Sequence, residues 1–237
     1  VSSGSTQNKT LVRKSNISKG TTDWDNRDNE WDVHAQDFSD SLSTHTSDSC
    51  NPAQSPPPTA ASCSDPFFSE YIEGSGNNKA YEIYNPTNTS LDLSNYAVQL
   101  FSNGNASANS TLSLTGNLAA QQVYIVAKSS ADISIRNKAN LTHSTANFNG
   151  NDALALINTT TGDTLDIIGK VGEDPGSKWI VSSGSTQNHT LVRNSSITSG
   201  TTDWSNRDNE WTVYAQNFID SLSMHSADEC LNGLPIS

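Results

Sequence analysis

The chain is predicted to fold as a β-sandwich of many short strands. Three observations lead there. From Phe67 onward, apolar runs of four to eight residues recur, each bounded by Gly, Asn, Asp, Ser or Thr. Helical apolar spacing is weak throughout, so the long crossover helices that a parallel α/β sheet needs are missing. The C-terminal strands also occur twice, because residues 1–50 match residues 181–230 at 36 of 50 positions without a gap.

The strands follow in order. Residues 67–73 (FFSEYIE) and 80–85 (AYEIYN) flank a Gly- and Asn-rich turn at 74–78, where both residue types tolerate positive φ. Residues 96–102, 111–114, 123–128, 153–158 and 164–171 continue the series. The pair 153–158 and 164–168 reads as a hairpin around a Gly-containing loop. Within the repeated third, 189–193 (HTLVR) and 210–216 (EWTVYAQ) carry apolar residues at alternate positions. Short helical candidates occur at 130–137 and 217–223.

The repeat sets the expected domain plan. Residues 1–50 read as the C-terminal part of a preceding repeat, so the chain is expected to start inside a unit. Residues 51–62 contain four prolines and no large apolar side chain, the composition of a semi-rigid polyproline II spacer. Residues 63–230 then form the intact domain, long enough for one core, and 231–237 a short tail. Two strands alone are marginal in water, so residues 1–50 are expected to pair on a sheet edge or exchange with 181–230 of a second molecule, giving a homodimer.

Composition narrows the function classes. The net charge is −12 with a pI near 4.6, which argues against a nucleic-acid grip built on clustered Lys and Arg. No stretch approaches the roughly 18 apolar residues of a membrane helix, so no membrane insertion is expected. Cys50 and Cys230 are repeat equivalents and Cys63 opens the intact unit. The economical pairing is a disulfide between Cys63 and Cys230, with Cys50 left over; three free thiols are the alternative. Nine Asn-x-Ser/Thr sequons, among them Asn105, Asn140 and Asn188, mark exposed loops.

These residues resemble the lamin-tail domain family, in its bacterial secreted branch. The resemblance is carried by FSEYIEG at 68–74, NKAYEIYNP at 78–86, LDLSNY at 91–96 and NGNDALAL at 149–156. DIIGKVG at 166–172, HTLVR at 189–193 and EWTV at 210–213 complete it. It implies an immunoglobulin-like antiparallel β-sandwich acting as a binding or spacer module, of a kind found beside secreted nucleases and phosphatases. No catalytic residue is carried over. Polar loops around 103–117 and 136–152 make this unit longer than the family pattern.

Chemistry-bearing clusters are few. No G-x-S-x-G, H-E-x-x-H, P-loop or G-x-G-x-x-G motif occurs, and the five histidines lack zinc-ligand spacing. Asp203, Asp208 and Glu210, with Asp23, Asp25, Asp28 and Glu30 as the earlier copy's counterparts, are the candidate calcium ligands. A solvated turn whose Asp and Asn side chains cap backbone amides fits them better, since Asp25 becomes Ser205 in the intact copy. Glu70, Glu73, Lys79 and Glu82 are read as cross-strand pairing on a half-exposed sheet rather than an acid–base pair. Trp211 is expected in the core; Trp204, in a loop, is read as core too, with stacking on a sugar as its candidate ligand-contact alternative.

The expectation is therefore a non-catalytic repeated binding, adhesion or spacer module, secreted or on the cell surface, with an unidentified protein or glycan partner. An accessory domain of a secreted nuclease or phosphatase, and a carbohydrate-binding module, are the alternatives.

Overall fold

In the computed structural model, residues 8–15, 17, 25, 27–39, 63–227 and 230 are described. They fall in two compact units, Val1–Thr59 and Ala60–Ser237. The expected spacer at 51–62, the tail at 231–237, Cys50, Asp23 and Trp24 lie outside the described residues.

The first unit holds strand β1 (Thr10–Arg13), one helical turn α1 (Arg27–Glu30) and strand β2 (Trp31–His34). The two strands pair antiparallel from Thr10↔His34 to Arg13↔Trp31. The second unit is the sandwich. Its strands are β3 (Phe67–Glu73), β4 (Lys79–Tyr84), β5 (Leu91–Asp92), β6 (Tyr96–Phe101), β7 (Ser110–Ser113), β8 (Asn117–Leu118) and β9 (Val123–Ala127). After the turn α2 (Ile133–Arg136) come β10 (Leu141–Thr142), β11 (Ala153–Asn158), β12 (Thr164–Ile168), β13 (Ile180–Val181), β14 (Gly184–Ser185) and β15 (His189–Arg193). The turn α3 (Arg207–Glu210) leads into β16 (Trp211–Tyr214).

A six-stranded sheet, β10-β9-β4-β3-β15-β16, faces a four-stranded sheet, β12-β11-β6-β7. Their ladders are antiparallel except β10 against β9. This is the all-β sandwich that the strand pattern predicts. Phe68, Tyr71, Tyr81, Ile83 and Leu191 from the larger sheet interdigitate with Val98, Leu100, Leu154, Leu156 and Ile168 from the smaller one. The rings of Phe68 and Tyr81 meet edge to face at 5.7 Å, worth about 1 kcal/mol beyond the area they bury.

Alternation along β3 breaks once. Register with β4 shifts between Phe68 and Glu70, so Ser69 is the extra residue of a β-bulge. Beyond it Tyr71 joins the inner core, while Ile72 and its partner Ala80 join a second cluster on the outer face. That outer face is covered by α2 and by the segment after β16, whose Leu222 is fully buried against Ile72, Ala80 and Ile125. All seven residues of β3 and all six of β4 are consequently buried, which corrects the half-exposed sheet expected there.

Three boundaries move for local reasons. Strand β12 stops at Ile168 because Gly169 turns with φ +82° against Trp179 Nε1 and the Asp152 carbonyl, a conformation open to glycine. Strand β16 starts one residue after Glu210, which instead closes α3. Residues 217–223 form a strap, where the spacing of Phe218, Ile219 and Leu222 suggests a helix. Asn217 takes φ +63°, Phe218 stacks on Tyr214 at 4.3 Å, and the Ser223 N–H donates to the Glu82 carboxylate at 2.6 Å.

The sandwich's two ends are tied together. Cys63 and Cys230 form a disulfide with Cα atoms 6.1 Å apart, packed with Phe67, Tyr84 and Ala227 in a third apolar cluster.

Candidate functional site

The most charged part of the interior lies where β12, β3, β15 and β16 meet. Arg193, at the end of β15, is 2% exposed. Its Nε donates to the Phe68 carbonyl at 3.1 Å, Nη2 to Asp166 Oδ2 at 2.5 Å and Nη1 to Glu210 Oε2 at 2.5 Å. Its guanidinium carbon lies 4.3 Å from the centre of the Trp211 ring, a desolvated cation–π contact. Asp166 is completely buried, and it also accepts the N–H groups of Phe68 at 2.8 Å and Thr201 at 3.0 Å.

This network fastens one sheet to the other, because Asp166 belongs to β12 of the four-stranded sheet and Arg193 to the six-stranded sheet. Gly200 permits the approach: a Cβ there would sit 2.5 Å from Asp166 Cβ. With every guanidinium arm filled, the charge is compensated as a buried ion must be. Its chemistry is structural, since its donors and acceptors point at each other. Burial pushes the Glu210 carboxyl up, and neighbouring Arg193 pulls it back down.

A second charged pair lies on the inner face. Lys79 Nζ donates to Glu73 Oε1 at 3.0 Å, to the Phe148 carbonyl at 2.6 Å and to Asn149 Oδ1 at 3.1 Å. An ammonium has three donors, and all three are used.

The third feature is the cross-strand pair Glu70↔Glu82 on the outer face of β3 and β4. Glu70 is 1% exposed and Glu82 0%. Glu82 accepts the Ser69 hydroxyl at 2.7 Å and the Ser223 N–H at 2.6 Å. Glu70 Oε1 is buried without a hydrogen-bond partner. Burial first, and the Glu82 charge second, push the Glu70 carboxyl from 4.5 up to about 8, against the opposing pull of Ser221 and Lys138. Glu82 is raised too, again mainly by burial. At neutral pH Glu70 therefore holds its proton, because two like charges so close in a dry site cannot both persist.

The residues that sequence reasoning singled out are not gathered into one site. Asp203 accepts the N–H and hydroxyl of Ser205 at 3.0 and 2.5 Å, and these bonds hold its carboxyl below the usual range. Asp208 accepts the Ser182 N–H at 2.7 Å, and Glu210 is committed to Arg193. The three carboxylates serve three different backbone or side-chain partners, and no group of three His, Cys, Asp or Glu suited to a metal occurs among the described residues. In this structure these side chains cap turns and close the arginine network, the arrangement that the capped-turn reading expects. Trp204 is 2% exposed and belongs to the inner core with Trp211 and Trp179, so it offers no face for a sugar ring. Its polar loop leaves a surface position open beside the core one, and the turn at 204–206 folds the indole inward.

The sequence pattern does not reveal the Asp166–Arg193–Glu210 network, because its three members lie on different strands and turns far apart in sequence. A signal was present in the repeat: Arg13, Glu30 and Trp31 reappear unchanged as Arg193, Glu210 and Trp211, whereas Asp25 becomes Ser205.

The topology and its charged seams define an immunoglobulin-like β-sandwich. Within it, residues 59–172 match the family model of the Lamin Tail Domain, a family of non-catalytic Ig-like domains. The matched stretch reaches from the segment before β3 to just past β12, so the closing hairpin β15–β16 lies beyond it. A search of curated proteins finds no match to this chain.

Proposed function

We propose that the protein is a repeated, non-catalytic binding or adhesion module that works in an oxidising, extracytoplasmic compartment, at the cell surface or secreted. The disulfide between Cys63 and Cys230 carries this reading, because such bonds persist outside the reducing cytosol. The buried charges support it as well: Arg193, Lys79 and their carboxylates are spent on holding the sandwich together. Binding then falls to the Asn-, Ser- and Thr-rich loops and to the outer edge of β16, where Tyr214 is 37% exposed. A protein partner is favoured over a glycan, since Trp179, Trp204 and Trp211 are all buried and cannot serve as stacking platforms.

The reading is tested on protein recovered from the producing cells. Peptide mapping without reductant is expected to find Cys63 linked to Cys230 in the extracellular fraction. Assays with p-nitrophenyl phosphate and bis-p-nitrophenyl phosphate are expected to show no turnover above buffer. Recovery from the cytosol with both thiols reduced refutes the location. Turnover that is lost in a Glu70→Gln, Glu82→Gln variant refutes the non-catalytic assignment.

A further inference from the structure

The hairpin β1–β2 is built like β15–β16, the hairpin that closes the six-stranded sheet. Their registers are identical after an offset of 180: Thr10↔His34 to Arg13↔Trp31, against Thr190↔Tyr214 to Arg193↔Trp211. The Lys14 N–H bonds the Glu30 carbonyl at 2.9 Å, as the Asn194 N–H bonds Glu210 at 2.8 Å. His34 stacks on Phe38 at 4.1 Å, as Tyr214 does on Phe218 at 4.3 Å. Arg13 Nη2 reaches Glu30 Oε2 at 2.5 Å and its guanidinium carbon sits 4.6 Å from the Trp31 ring centre.

What differs is the rest of the joint. In the sandwich, the Arg193 fork is completed by the Phe68 carbonyl and Asp166, and β15 pairs with β3 along its length. In the hairpin, Arg13 Nε is buried with no hydrogen-bond partner among the described residues. Leaving such a donor unpaired is costly, and a lone two-stranded sheet is marginal. The hairpin is thus half of a joint whose other half is visible elsewhere in the same chain. Carrying the β15–β3 register across sets Lys9 opposite Glu73 and Leu11 opposite Tyr71. Lys9 and Lys14 replace His189 and Asn194, making this copy the more basic one toward a strand that carries Glu73.

We propose that the β1–β2 hairpin is a strand donor. Its acceptor is the β3 edge, with the Asp166 carboxylate, of a second copy of this chain whose own closing hairpin has let go. The acceptor's slot has to be open because the described residues hold two such hairpins and one such edge. Displacing a resident by its near-equal gains nothing, and the resident has the advantage of covalent connection.

Light scattering and thermal melts of four full-length proteins test this: wild type, Arg13→Ala, Arg193→Ala and the double variant. Arg193→Ala strips the resident hairpin of its fork, and the spare hairpin of a partner is expected to replace it. That variant should run as a dimer and melt within about 3 °C of wild type, while the double variant stays monomeric and melts about 10 °C lower. Wild type and Arg13→Ala should both be monomers with equal Tm. Equal Tm for Arg193→Ala and the double variant, or an Arg193→Ala monomer, overturns the proposal. As a control against outright unfolding of Arg193→Ala, Arg193→Lys is run with and without Arg13→Ala. The same ordering with a smaller gap is expected, and no gap there overturns the proposal equally.

Discussion

Glu70 gives the sharpest test of how the sandwich handles buried charge. In the folded protein its carboxyl holds a proton up to about pH 8, against 4.5 for the ordinary group. Between those values the folded state binds more protons than the unfolded state, so stability falls as pH rises through this window. The burial penalty is absent below about pH 4.5 and complete above about pH 8. A shift of this size corresponds to at most about 5 kcal/mol between the protonation states. Rearrangement of the covering strap and of Lys138 reduces this, and we expect about 2–3 kcal/mol. Glu70→Gln keeps the shape and cannot ionise. Urea melts at pH 5 and pH 8.5 should show the variant close to wild type at the lower pH. At pH 8.5 it should be more stable, with a midpoint shift of about 1 M for a typical urea m-value. Glu82→Gln removes only the second cause of the shift, so it should flatten the wild-type pH dependence less than Glu70→Gln does. Parallel pH dependences for wild type and Glu70→Gln, with unchanged m-values, would refute the reasoning.

Two further outcomes follow from the same interior. Asp166→Ala leaves Arg193 buried against Glu210 alone and orphans the Phe68 and Thr201 N–H groups; chemical denaturation should show a loss of about 3–5 kcal/mol, which the spare hairpin cannot restore because the acceptor itself is gone. Cys63→Ser with Cys230→Ser opens a loop of 167 residues, and the expected loss is up to about 5 kcal/mol on the chain-entropy estimate, read as a lower urea midpoint than that of the oxidised wild type.

Much of the sandwich was legible because its strands obey local rules. β3, β11 and β15 begin and end where the apolar runs do, and the turn at 74–78 closes through the Gly74 N–H and the Asn78 carbonyl. The strap at 217–223 was not legible. Its apolar spacing imitates one turn of helix, but what fixes it is a carboxylate on β4, more than a hundred residues earlier. The burial of β3 and β4 on both faces was hidden for the same reason. Their polar residues alternate as on a solvated sheet; the tertiary strap is what makes Glu70 and Glu82 interior, while Glu73 and Lys79 are enclosed on the inner face beside Phe148 and Asn149. Trp204 was legible only in part: its polar neighbours left a surface reading open beside the core one, and the indole turns into the core.

The arginine network explains why the repeat preserves what it does. At the Asp25/Ser205 position the side chain in the described turn is exposed, and the two copies differ there. At Arg13/Arg193, Glu30/Glu210 and Trp31/Trp211 they agree, and in the intact domain those three side chains form one contact set. The set is incomplete without a carboxylate from a different sheet, Asp166, which residues 1–50 do not contain. A hairpin that keeps the arginine, glutamate and tryptophan therefore keeps a demand that its own residues cannot meet. That demand distinguishes it from a generic polar ribbon, since Arg13→Ala should abolish donation while substitutions at the Asp25 position should leave it intact.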